Sequence, residues 1–256
     1  MGDEAIDLRL EDVAIARGLC RSGGMRAFLA LVPLVLSSCA GVHGSGAIVQ
    51  VRADALPGFH EVDLAGGLHA SIRRGPPGVV LEGDDNIVAE YEVKVEGERL
   101  LVHPRADVAL SPSRPVHAFI SLPDLRKVVA TGGVDVLVEN GVSSSLALEL
   151  SGGVEFEAKD VKLAVLQVQA SGGVEVDLSG AAENVDLHLS GGVDFDAKDL
   201  TAQTVILDAS GGCDVDVVAT ESISGAASGG VDVTVRGNPP KSRVAGSGGA
   251  SIEWKD

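Results

Sequence analysis

Carboxylates recur at a fixed beat through the second half of this chain. They stand at Asp135, Glu155, Glu175, Asp194, Asp214 and Asp232, and again two residues later at Glu157, Asp177, Asp196 and Asp216, with Glu253 near the end. Stacked in register ~5 Å apart, such like charges repel. A hard divalent cation with oxygen ligands, such as Ca²⁺, would relieve that repulsion. The chemistry on offer is therefore cation binding, with Glu155, Glu157, Glu175, Asp177, Asp194, Asp196, Asp214 and Asp216 as ligands. A solvated face that keeps the molecule soluble is the simpler reading of the same columns. It is favoured because the nine-residue Gly-Gly-x-Gly-x-Asp calcium repeat is absent.

Paired carboxylates also serve glycoside hydrolysis. Here every repeat carries them, so no pair is marked out as catalytic. The six histidines (His43, His60, His69, His103, His117, His188) are scattered without metal-ligand spacing. His60 and His69 could meet across neighbouring repeats, although a solvent-facing strand position suits each better. Lys159 and Lys198 lie in a repeated Ala-Lys-Asp, read as turns away from the acidic columns. The expectation is a protein with no catalysis and no cofactor.

The elements that position these carboxylates are written in the glycines. Gly-Gly doublets, each preceded by Ser or Thr, occur at Gly132-Gly133, Gly152-Gly153, Gly172-Gly173, Gly191-Gly192, Gly211-Gly212, Gly229-Gly230 and Gly248-Gly249. Their spacings are 20, 20, 19, 20, 18 and 19 residues. So regular a period indicates stacked rungs, each burying its apolar face on its neighbours. After each doublet comes strict alternation, as in Val174-Glu175-Val176-Asp177 and Val193-Asp194-Phe195-Asp196. That is the period-2 pattern of a half-buried strand. A second strand precedes each doublet, as in Leu146–Leu150 and Val185–Leu189. The fold expected is all-β, a right-handed parallel β-helix with ~20-residue rungs. The doublets are its structural corners, because Gly permits positive φ and close backbone approach. The hydroxyls before them (Thr131, Ser151, Ser171, Ser190, Ser210, Ser228, Ser247) are expected to stack and bond the next rung's backbone. A phosphate-cradling loop is not indicated, since neither Gly-x-Gly-x-x-Gly nor Gly-Lys-Ser/Thr is present.

The formal net charge is −17, which argues against nucleic acid as a partner. Residues 26–39 run from Arg26 through an apolar stretch to Leu36-Ser37-Ser38-Cys39, the layout of a secretory signal. That ending resembles the bacterial lipobox, which implies lipid on Cys39. Ala40 follows rather than Asp, as in lipoproteins sorted to the outer membrane. Residues 1–24 contain Asp3, Glu4, Asp7, Glu11 and Asp12, where a signal would be basic. They read as an over-extended reading frame, with Met25 as the start. The expected organisation is a signal peptide at 25–38, a flexible tether at 39–47 and a single β-helix domain at 48–256. Within that domain 48–125 form irregular rungs and 126–256 regular ones. Three cysteines make no disulfide framework. Cys213 fills a slot taken by Val in other repeats and reads as a buried small hydrophobe.

The first half carries a set of recognisable segments. They are Leu56-Pro57-Gly58-Phe59-His60-Glu61-Val62, Gly83-Asp84-Asp85-Asn86-Ile87, Gly97-Glu98-Arg99-Leu100-Leu101-Val102 and Leu122-Pro123-Asp124-Leu125. With the Ser-Gly-Gly repeats and Gly237-Asn238-Pro239-Pro240, they resemble the bacterial envelope family called putative auto-transporter adhesin, head GIN domain. The resemblance covers nearly all of residues 49–253. Where the family often has Ser-Gly-Ser-Gly, this chain has Ser-Gly-Gly. The resemblance implies a β-helix-like domain of secreted or lipid-anchored proteins. The expected role is an envelope protein, anchored in the membrane by its N-terminal lipid, that presents a stiff acidic rod to polysaccharide or to a surface protein. A periplasm-facing scaffold is the alternative reading, and a carbohydrate-active enzyme a remote one.

Overall fold

The protein is described by a computed structural model covering residues 41–53, 56–106 and 108–255. The expected leader, Cys20 and the expected lipidation site Cys39 lie outside the described residues. The described chain is all-β apart from one helical turn. Its strands are β1 (Val42–His43), β2 (Ile48–Ala53), β3 (Glu61–Ala65), β4 (Leu68–Arg74), β5 (Gly78–Asp84), β6 (Tyr91–Glu96), β7 (Arg99–Pro104), β8 (Leu110–Ser111) and β9 (Val116–Leu122). They continue as β10 (Leu125–Val138), β11 (Val142–Gly211), β12 (Asp214–Gly229), β13 (Asp232–Arg236), β14 (Lys241–Gly248) and β15 (Ser251–Lys255). Helix α1 is Asp85–Val88.

Strand pairing accounts for the period. β10 pairs with β11 in parallel, with Thr131 opposite Ser151, Gly132 opposite Gly152 and Val134 opposite Val154. β11 is 70 residues long and returns alongside itself, so that Gly172 packs on Gly152 and Gly191 on Gly172. β12 continues the stack on β11, β13 and β14 on β12, and β15 on β13, all in parallel. The first glycine of each doublet has φ between +71° and +101°. A Cβ on Gly172 would lie 2.9 Å from the Gly152 carbonyl oxygen, so no larger residue fits without displacing the rung below. The second glycine is under no such constraint: a Cβ on Gly173 would stand 3.8 Å from that oxygen.

The core fills the interior of the stack. Val134, Val154, Val174, Val193, Cys213 and Val231 form one buried column. Val136, Phe156, Val176, Phe195, Val215 and Val233 form another. Valine separates the two phenylalanines, so bulky rings alternate with small neighbours and the column fills without overpacking. The residues between point outward, as the alternation requires.

The N-terminal half departs from the expected run of parallel rungs. β3 and β4 pair with β10 in parallel, β9 with β4 and β7 with β3. β2, β5 and β6 run antiparallel: β2 to β5, β5 to β9 and β6 to β7. All the strands but β1 and β8, which pair with each other in a sheet of their own, belong to one large mixed sheet. The β6–β7 hairpin turns within Glu96-Gly97-Glu98, where Gly97 takes φ +63°. In the Asp84-Asp85-Asn86 stretch Asp84 caps helix α1 and Asp85 opens it.

The expected flexible tether is also corrected where it is described. Val42 and His43 form β1 against Leu110 and Ser111. Asp84, fully buried, accepts from the Gly46 N–H at 2.8 Å, the Ser113 N–H at 2.7 Å and the Ser113 hydroxyl at 2.7 Å. The Ser45 N–H donates to Asn86 Oδ1, Asn86 Nδ2 to the His43 carbonyl, and the Asp85 N–H to the Ala47 carbonyl. A glycine-rich segment carries exposed backbone donors and acceptors, and these carboxylate and amide groups satisfy them. Ser113's hydroxyl and then its N–H hold the Asp84 carboxyl below the usual range. Burial opposes them, and Gly46 and the Arg114 charge assist.

Candidate functional site: an acidic face and a hydroxyl-lined groove

The two acidic columns are real neighbours in register. His117 lies beside His69, His69 beside Asp135, Asp135 beside Glu155, Asp194 beside Asp214 and Asp214 beside Asp232. The stacking of Gly172 between Gly152 and Gly191 puts Glu175 between Glu155 and Asp194. In the second row Leu137 precedes Glu157, Asp196 lies beside Asp216, and Thr234 stands between Asp216 and Glu253.

The rows differ in their counter-charges. Lys159 pairs with Glu157 and Lys198 with Asp196. Arg236 forks onto both oxygens of Asp216 at 2.9 and 2.8 Å, and Lys255 meets Glu253 at 3.0 Å. Lys159 and Lys198 are thus part of the acidic face and not in turns away from it. The clue was in the sequence: Glu157/Lys159, Asp196/Lys198 and Glu253/Lys255 are two apart, and residues i and i+2 of a strand share a face. Among the described residues no Lys or Arg pairs with a carboxylate of the first row, where Asp135 has His69 at 3.1 Å. Burial, then the charges of Asp214 and Asp196, push the Asp194 carboxyl up. Burial also acts to raise Asp196, but Lys198's hydrogen bonds and charge outweigh it and bring it down.

No group of three or more His, Cys, Asp or Glu among the described residues is arranged to hold a metal ion. The carboxylates named for Ca²⁺ are stacked, but they do not converge on a point. His60 pairs with Asp124 at 2.7 Å rather than with His69, whose ring packs on His117 at 5.2 Å. Cys213 is buried, its thiol directed at the Ser210 carbonyl 3.3 Å away.

A groove of about 730 Å³ runs along a different strip of the stack. Thr131, Ser151, Ser171, Ser190 and Ser210 line it on one side, and Glu149, Gln169, His188 and Asp208 on the other. These are the hydroxyls expected to bond the next rung's backbone. They make no such bond among the described residues. The backbone groups of each rung are already used in the ladder, so the hydroxyls keep their donors and acceptors for a partner in the groove. The result is a row of uniform hydroxyls at rung spacing, ~4.8 Å.

The described residues contain no helix long and apolar enough to cross a membrane. No curated protein matches the chain. Among solved structures, a putative adhesin from Bacteroides fragilis is 24% identical with a TM-score of 0.80, covering 84% of this chain and 100% of its own. A putative lipid binding protein from Parabacteroides distasonis is 16% identical with a TM-score of 0.67, covering 84% and 99%. A putative adhesin from Parabacteroides merdae is 14% identical with a TM-score of 0.59, again covering 84% and 99%. These likenesses establish a shared fold. A family model described as "Putative auto-transporter adhesin, head GIN domain" matches residues 58–239, from the Phe59 core through Gly83-Asp84-Asp85-Asn86 to Pro239. The chain belongs to that head GIN domain family.

Proposed function

We propose that this is a non-catalytic envelope adhesion domain, anchored by lipid at Cys39, that holds a hydroxyl-rich polymer in its groove. Polysaccharide is the ligand class. The observation that carries this reading is the row Thr131, Ser151, Ser171, Ser190 and Ser210, five hydroxyls facing one groove with no partner among the described residues. A repeating polymer laid along the stack meets the same donor and acceptor at each rung, so weak contacts add up along its length. The rod is a right-handed parallel β-helix in this reading, since parallel crossovers are right-handed in nearly all cases. The acidic rows keep it soluble and deter lateral aggregation. The outer membrane is its proposed location.

Two measurements test this. Ser171→Leu and Ser190→Leu, which fill the groove, should abolish polysaccharide retention on affinity electrophoresis while leaving the thermal melt unchanged. Unaltered retention would remove the groove from the site. In intact cells, an epitope placed at Gly237–Lys241 should be lost to external protease while a periplasmic control survives. Protection until the outer membrane is permeabilised would favour a periplasm-facing scaffold.

A further inference from the structure

We propose that a second site, a notch at the N-terminal end of the sheet, binds one carboxylate-bearing sugar ring. The notch has a volume of about 230 Å³ and is lined by Arg52 on β2, Arg73 on β4 and Phe119 on β9, with Pro76 and Pro77 at its rim. Register brings these together: Arg52 lies opposite Val80, Val80 opposite Phe119, and Arg73 opposite Ser121.

The charge of the notch is the reverse of its surroundings. Asp and Glu outnumber Lys and Arg by 37 to 20 in the chain, yet among the described residues no carboxylate lines this space. Several basic groups elsewhere are matched to carboxylates, as in Arg99 with Glu61, Lys127 with Glu149 and Arg236 with Asp216, and Arg52 has an interaction of its own. The exposed Arg73 guanidinium makes no hydrogen bond or ion pair with any described residue. A guanidinium presents a planar fork that takes a carboxylate in two parallel hydrogen bonds.

Phe119 supplies the other half of the recognition. It is one of the few large apolar side chains left exposed, at 40%. Its ring is held near parallel to that of His117, with 6.2 Å between centroids and 15° between planes. A flat aromatic face accepts the apolar C–H face of a sugar ring. The walls are fixed as well. The Ser121 hydroxyl donates to the Pro76 carbonyl at 2.7 Å, and a Cβ at Gly75 or Gly78 would press on Ser121 at 3.3 Å. A preformed notch loses little entropy on binding. Its size suits one ring, and Glu157 with the rows beyond it would repel a longer anionic chain. The ligand therefore enters as a free uronate or as the terminal ring of an acidic glycan. An acidic peptide would satisfy the arginine but leave the Phe119 face without a flat partner.

This site depends on the glycan reading only for the choice of ring, and it can be tested separately from the groove. The probes are galacturonate, a short oligogalacturonate, and the same oligomer with its carboxyls methyl-esterified, measured by calorimetry at low and high salt. The charged oligomer should bind, more weakly at high salt, and the ester should lose at least about tenfold in affinity. Arg73→Glu should abolish binding and Phe119→Ala should weaken it, while Ser171→Leu in the groove leaves it unchanged. Equal affinity for the monosaccharide would mark a site for the free sugar, and preference for the oligomer a terminal-ring site. Equal binding of the ester, no effect of Arg73→Glu, tighter binding of a polyglutamate peptide, or no binding at all would each overturn the proposal.

Discussion

The Ser113 hydroxyl donates to Asp84 Oδ1 at 2.7 Å and closes a clasp around the N-terminal segment. Asp84 reaches 29 residues forward to Ser113 and 38 back to Gly46 with one carboxylate. It is the sole buried charged residue among those described. A Cβ on Gly44 would come within 2.1 Å of its Oδ2, so the segment passes directly over the carboxylate.

Asp84→Ala should release residues 43–47. Hydrogen exchange at Ser45 and Gly46 is expected to rise sharply, while the rungs around Gly172 keep their protection. Protection at Ser45 and Gly46 that survives the substitution would mean that the β1–β8 pairing alone holds the segment. The pH dependence follows from the sign of the shift. The folded carboxyl sits below the usual value, so the clasp contributes fully above an unfolded aspartate's ~3.9. That contribution is lost as pH falls below it toward the folded value.

The two glycines of a doublet should respond differently. Gly172→Ala forces a Cβ to 2.9 Å from the Gly152 oxygen at φ +100°, and is expected to cost about 1–3 kcal/mol or more. Gly173→Ala meets nothing closer than 3.8 Å and should fall within about 0.5 kcal/mol of the parent. Denaturant midpoints compare the pair directly. Equal losses would mean that the corner is not set by close approach.

Adjacent residues on one strand should also separate. Val193 is buried and Asp194 exposed. Val193→Asp is expected to unfold the rung by placing an unpaired charge in the core, and Phe195→Ala to cost about 3–5 kcal/mol. Asp194→Asn should be neutral or stabilising at neutral pH. The raised Asp194 carboxyl means that its charge is disfavoured when folded, a penalty relieved as pH falls through the folded value. A melt in which Asp194→Asn is worse than Val193→Asp would reverse the assignment of faces.

Divalent cations should matter little to stability. The carboxylates stack without converging, and Glu157, Asp196 and Asp216 of the second row are already paired with Lys159, Lys198 and Arg236. Chelation should leave the melting temperature unchanged. A clear rise in millimolar Ca²⁺, abolished by Asp194→Asn, would restore the first row as a cation site.

Much of the regular half was legible because its information is local. Val193 inward and Asp194 outward follow from period-2 alternation, and the stacking of Gly172 on Gly152 follows from the spacing of the doublets. The pairing of Lys198 with Asp196 could have been read from the same alternation. The lack of a backbone partner for Ser171 could not, since it depends on how the ladder bonds are already allocated.

By itself the sequence determined the all-β class, the rung period, the faces of each strand and the glycine corners, since each rests on contacts within a rung or with its identical neighbour. The tertiary structure alone decided that β2, β5 and β6 run antiparallel, that Asp84 clasps residues 43–47, and that Arg52, Arg73 and Phe119 share a notch. Those residues belong to no repeat. Their partners lie some 30 to 70 residues away in the chain, on segments of different type. Without a period to say which segment returns beside which, the choice of partner was left to how loops of unequal length close over the core.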